Sequence, residues 1–290
     1  MIYDIRQTTT YIYETAVTRA RHVLRLLPVT RDRQRVTAAA LEVDPAPARR
    51  SESTDFFHNW RTVAELELPH ETLTVRLVAR VSVAAVAPTD PDTSPPWERV
   101  RDEAYASQDI GPASAVHFIH PSRQVSLDPQ IRDYARESFP PGRPVFAGAV
   151  ELMQRIQRDF AYEPGATTVS TTPSMAFALR RGVCQDFAHI MIDGLRGLGL
   201  PAGYVSGFLR TVPRPGTARL AGADAMHAWV MLWCGPGWQG LDPTNALIAS
   251  EDHVILARGR DYADVAPIDG VVLASGRQHL STAVDVIPTS

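Results

Sequence analysis

Cys184, His227 and Asp242 are the residues whose types and order could carry out chemistry together. A thiolate can attack an amide carbonyl. An imidazole can take the thiol proton and return it to the leaving group, while a carboxylate fixes the imidazole's tautomer and stabilises its cation. Each residue also has a plainer reading. A cysteine is more often a small buried hydrophobe than a nucleophile, a strand histidine is often a core residue bonded to a carbonyl, and Asp242 precedes Pro243 as a turn former would. The chemical reading rests on whether the chain brings the three together.

A helix must present the cysteine. Phe187, Ile190, Met191, Leu195 and Leu198 recur at intervals of three and four, with Asp186, His189, Asp193 and Arg196 as the opposing polar stripe. Gly197, Gly199 and Pro201 end the pattern. Cys184 therefore starts the helix, just after Gly182, where the dipole and free N–H groups favour an anionic sulfur and can receive a developing oxyanion. It precedes Phe187 and Met191 on the same side, so it points toward the packed face.

A hairpin must present the other two. CGPG at 234–237 separates two strand-like runs, and an even turn centred between Gly235 and Pro236 pairs Trp233 with Trp238. Counting outward sets Asp242 opposite Trp229 and puts His227, Trp229, Trp233, Trp238 and Asp242 on one face. Diagonal neighbours lie about 7–8 Å apart at the backbone, within reach of a carboxylate and an imidazole. A slip of one residue would separate them.

Other positions carry weaker signals. Asp186 and His189 could tune the cysteine or simply cap and solvate the helix. His117 and His120 lack partners at metal-site spacing, so no metal and no cofactor is expected. GLRGLG follows no strand and has the wrong spacing for a dinucleotide site. TVPRPGTARLAGADA at 211–225 leads into His227 and reads as a mobile loop at the mouth of the site.

The wider chain supports an α+β architecture. Residues 1–88 read as a β-sandwich-like domain of short alternating runs, from YDIRQTTTYIY to LTVRLVARVSV, separated by turn clusters such as DPAPARRSESTD. APTDPDTSPPW at 87–97 reads as a linker. Helices then cover 97–107, 128–139, 144–160 and about 174–180, and strands return after Pro201, the catalytic unit running from 97 to 266. Residues 267–290 add C-terminal strands that pack on both preceding units. Two cysteines are too few for a disulfide framework. The N-terminus lacks a signal-peptide pattern and no apolar run is long enough to span a bilayer, so a cytoplasmic protein with no membrane partner is expected. A net charge of -3 argues against nucleic-acid binding.

GVCQDFAHIMIDGLRGLGLPAGYVSGFL, HAWV, GWQGLDPTN and GRDYADVAPIDG together resemble the bacterial transglutaminase-like family, and the N-terminal run resembles the β domain that precedes its core. The resemblance implies a papain-like core, with Cys184 as nucleophile, His227 as base and Asp242 as orienting carboxylate. Met226 and Met231 depart from the smaller or polar residues expected near the histidine and would make the pocket more apolar. The expected function is acyl transfer or hydrolysis on a peptide or glutamine-type amide through a thioester. The partners would be a peptide or protein amide and possibly a primary amine. The alternatives are a peptidase or amidase using the same residues, or a binding module with a vestigial site. The sequence has no lysine, so self-cross-linking through that side chain is excluded, while Gln34 and Gln124 lie in segments that read as exposed.

Overall fold

Alternating apolar positions dictate the first third of the molecule. The computed structural model describes residues 1–87, 89–211 and 224–289. Its opening strands are β1 (Ile2–Val17), β2 (Arg19–Leu24), β3 (Gln34–Asp44), β4 (Arg49–Thr54), β5 (Trp60–Leu66) and β6 (His70–Val83). In β1 the inward positions Tyr3, Ile5, Gln7 and Thr9 are buried while Arg6 and Thr8 face water, the period of two that a half-buried strand requires. β4 departs from expectation. RRSEST had read as part of a turn, yet it is an edge strand paired with β5. All six of its residues are exposed, so it carries no hydrophobic alternation to read.

The helical segment follows, comprising α1 (Trp97–Ala106), α2 (Pro129–Arg136), α3 (Val145–Asp159), α4 (Pro173–Leu179) and α5 (Cys184–Gly197). The two-residue strands β7 (Ala161–Tyr162) and β8 (Arg181–Gly182) bracket α4. Strands then resume as β9 (Ala202–Leu209), β10 (Ala225–Trp233), β11 (Trp238–Asp242), β12 (Leu247–Ile248) and β13 (His253–Gly259). A short α6 (Tyr262–Val265) precedes β14 (Ile268–Leu273) and β15 (Gln278–Thr289).

Two four-stranded antiparallel sheets, ordered β15-β1-β6-β3 and β14-β2-β5-β4, face each other as a sandwich. The last two strands of the chain thus complete sheets begun by the first two. The segment after β6 is tethered: the Val86 N–H donates to Ser250 Oγ and the Phe146 N–H to Ser94 Oγ. The central sheet, ordered β12-β11-β10-β9-β13, is antiparallel throughout and carries α5 on one face. Phe208, Val254 and Leu256 of that sheet join the sandwich core, so the two parts share packing.

Helix α5 is buried on all sides. Its polar stripe, expected to be solvated, is enclosed, with Asp186, His189, Asp193 and Arg196 all at most 2% exposed. Each is paired. Asp193 accepts the Leu127 and Asp128 N–H groups. Arg196 donates to the carbonyls of Ala202 and His120 and to Ser122 Oγ. Buried polar groups persist only when bonded in this way. Gln34, expected at the surface, is 4% exposed: its Nε2 donates to Val29 O and Ile255 O, and its Oε1 accepts the Ile255 N–H. Gln124 is half-buried.

Candidate active site

The helix start is built by Asp186. Its Oδ2 accepts the Val183 N–H at 2.8 Å and the Thr167 hydroxyl at 2.6 Å, capping α5 and tying the Thr/Ser-rich loop before α4 to the Cys184 end of the helix. Gly182 is required here, since a Cβ on it would lie 2.5 Å from Asp186 Oδ2. Cys184 is the first residue of α5, half-buried and packed against the main core. Tyr162 and Tyr204 flank it, and both phenols are pushed up, by burial first and by the nearby Cys184 second.

The hairpin has the register counted from its turn. Trp233 pairs with Trp238 and Val230 with Leu241. His227 Nε2 lies 2.8 Å from Asp242 Oδ2, and Cys184 is near enough to act on the charge of the imidazole. With Nε2 turned to the carboxylate, Nδ1 is the ring nitrogen left for the sulfur. The histidine and aspartate expected from sequence therefore meet, with Cys184 close enough to act on the imidazole. Burial lowers the pKa of His227, but the hydrogen bond to Asp242 and the influence of the neighbouring Cys184 and Asp242 outweigh it, and the imidazole is raised to about 9. Burial raises Asp242, but its bonds to His227, His253 and Asn245 hold it well below the usual carboxylate range.

Two partners of Asp242 escaped the sequence reading. Asn245 Nδ2 donates to Oδ2 at 2.8 Å, while the Thr244 and Asn245 N–H groups donate to Oδ1 at 3.0 and 3.3 Å. Asn245 sits in the turn three residues after Asp242, and that spacing was the one available signal. His253, 5% exposed, places Nε2 3.4 Å from the same Oδ2. Nothing local foretells this, because β10 and β9 lie between the strands of Asp242 and His253. A flat sheet would hold those backbones about 14 Å apart at 4.7 Å per strand, so the sheet must curl at this end. The curl closes on Trp229, which stacks on His227 and meets His253 edge-on, ring centroids 6.2 and 5.1 Å away. Gly207 makes room, since a Cβ there would be 2.6 Å from the Trp229 ring.

His227, Asp242 and His253 are the one group of three potential metal ligands found among the described residues. The hydrogen bonds of both imidazoles to one carboxylate oxygen account for the grouping. His117 and His120 are not part of it; the His117 ring nitrogen bonds the Ile110 and Gly111 carbonyls at 3.1 Å. Of the 211–225 segment, residues 212–223 lie outside the described residues. The two methionines flank His227 in sequence but pack into different surroundings. Strand alternation turns Met226 away from the His227 face, into the sandwich core. Met231 shares that face but sits four residues along, packed with Trp229 and Phe118. Cys234 is 5% exposed in the turn, and burial pushes its thiol to about 12.

Residues 3–82 match the bacterial transglutaminase-like N-terminal region, and residues 132–243 match the transglutaminase-like superfamily core. An uncharacterized protein of Mycobacterium tuberculosis is 38% identical over 99% of this chain and 92% of its own length. A protein-glutamine gamma-glutamyltransferase of Pseudomonas aeruginosa is 36% identical over 98 residues, 32% of this chain and 15% of that enzyme. A solved Cytophaga hutchinsonii protein, provisionally assigned as a cysteine protease, shares the fold. Its TM-score is 0.74 at 21% identity, covering all of this chain and 92% of that one. The chain belongs to the bacterial transglutaminase-like family.

Proposed function

We propose that the protein is a cysteine-dependent acyl-transfer enzyme acting on glutamine-type or peptide amides, with Cys184 as nucleophile. The observation that supports this most is the His227–Asp242 hydrogen bond of 2.8 Å, formed where Cys184 at the start of α5 is near enough to act on the imidazole's charge. In this reading the Cys184 proton has already passed to His227, and Sγ attacks the amide carbonyl from a thiolate–imidazolium pair. The oxyanion is met by N–H groups of the first turn of α5, which have no intrahelical acceptor. Collapse breaks the C–N bond, His227 protonates the departing ammonia or amine, and a thioester remains. A primary amine or water then attacks the thioester, giving up its proton through His227 and releasing the thiol. The γ-glutamyltransferase relative favours the amine as acceptor.

Two measurements test the proposal. Iodoacetamide at neutral pH should label Cys184 far faster than Cys234, whose thiol burial keeps protonated; preferential labelling of Cys234 in the folded protein overturns the assignment. Incubation with a fluorescent primary amine and a glutamine-containing peptide should give labelled peptide. Release of ammonia with no amine incorporated would assign the site to hydrolysis, and neither product would assign it to binding alone. Covalent ladders of the enzyme by itself should not form, because the chain has no lysine to accept the acyl group.

A further inference from the structure

Beside the His227–Asp242 pair, on the same face of the central sheet, lies a cleft of about 730 Å³ between that sheet and the sandwich. That volume falls within the range of small-molecule sites, roughly 300–1,000 Å³. Cys184, His227 and Asp242 do not line it. Its walls are aromatic, with Phe57, Trp60, Phe118, Trp229 and Trp238 among them. Its charge is one-sided: Arg31, Arg33 and Arg258 line it against Asp32 alone. Asp32 pairs with Arg258. Arg31 spends one nitrogen on His58 O and Asn59 Oδ1, while its buried Nε has no partner. Arg33 is exposed and has no ion pair among the described residues. The Trp60 Nε1 donor is likewise buried and unpartnered.

A bulge keeps Arg258 on this wall. Ile255 pairs with Gly207 and Ala257 with Ser206, so Leu256 is the extra residue, and Arg258 lands opposite Val205 on the cleft side. The wall nearest the reactive pair is formed by Trp229 and His253, which touch His227 and Asp242.

We propose that this cleft is a binding site for a small aromatic anion, its ring stacked among the tryptophans and its acid group paired with Arg33 and Arg31. Arginine suits this task because its planar guanidinium stacks on aromatic faces and pairs bidentately with carboxylate or sulfonate.

Three of the five tryptophans line the cleft, which provides the readout. Naphthalene-2-sulfonate should quench the fluorescence of the full chain saturably, whereas neutral 2-methylnaphthalene should not. Arg33→Ala, at an exposed position, should weaken sulfonate binding roughly tenfold or more, the share of one charge-assisted hydrogen bond, and Arg33→Glu should abolish it. Titrating the Cys184→Ala protein separates this result from that of the acyl-transfer proposal. No saturable quench up to millimolar sulfonate would overturn the site, as would equal binding of the neutral analogue or indifference to both Arg33 substitutions.

Discussion

The two faces of the central sheet divide its labour. On β10, Ala228, Val230 and Leu232 turn toward α5 and join a core with Leu195, Met191 and Tyr204. The alternate residues His227, Trp229 and Met231 turn the other way, among Asp242, His253 and the cleft. One face is apolar and filled. The other combines titratable groups, aromatic rings and open volume. Because alternation is a property of the strand backbone, neighbouring residues on one strand serve the core and the candidate site separately.

The sharpest way to break this comparison is Asp242→Asn. A neutral amide no longer stabilises the imidazolium or selects its tautomer, so turnover should fall roughly 10²–10³-fold, less than in a serine enzyme because a thiol is intrinsically more acidic. Amine-incorporation kinetics on the folded variant check this; full activity would mean that another group orients His227. On the opposite face, Leu232→Ala should destabilise the fold by about 2–5 kcal/mol while leaving turnover per folded molecule unchanged. Denaturant melts paired with active-site titration measure both, and a fall in turnover of folded protein would show that the faces are coupled.

pH sharpens the contrast, because the groups on the reactive face titrate. His227 is raised from 6.5 to about 9. The stability it contributes is therefore complete below pH 6.5 and is lost as pH rises through about 9. The loss should amount to about 3 kcal/mol at 1.36 kcal/mol per unit. Asp242 is depressed, so its contribution is present above its ordinary value of 3.8 and is lost only as pH falls through its lower folded value. On the proposed mechanism turnover needs the His227 proton for the leaving group, so the alkaline limb of the rate profile should lie near pH 9 and move down in Asp242→Asn. A limb unmoved by that substitution would detach the profile from this pair. The smallest effect expected is that of His253→Gln, which removes one weak bond to Asp242 of about 1 kcal/mol. Turnover should drop about two- to tenfold, with a slight downward move of the alkaline limb. An unchanged rate and limb would make His253 a packing residue.

Much of the site was legible in the sequence because it depends on local rules. Helical periodicity placed Cys184 at a helix start, and an even turn at CGPG set the register that joins His227 to Asp242. The alternating runs of β1, β3, β5 and β6 announced themselves in the same way. RRSEST did not, since a strand exposed on both faces has no alternation to show.

What the tertiary structure alone decided is non-local. Periodicity sorts polar from apolar positions, but whether a polar stripe meets water depends on what packs over it. Asp193 and Arg196 are enclosed because the loop before α2 and the turns around Ser122 and Arg260 supply their partners. Gln34 is buried because β13 comes to lie against it. His253 reaches Asp242 through the curl of a sheet whose intervening strands carry no mark of it, and Arg258 faces the cleft through a bulge that shifts parity by one residue. Spacing along the chain therefore determined the cysteine, histidine and aspartate, while sheet curvature and packing partners determined what surrounds them.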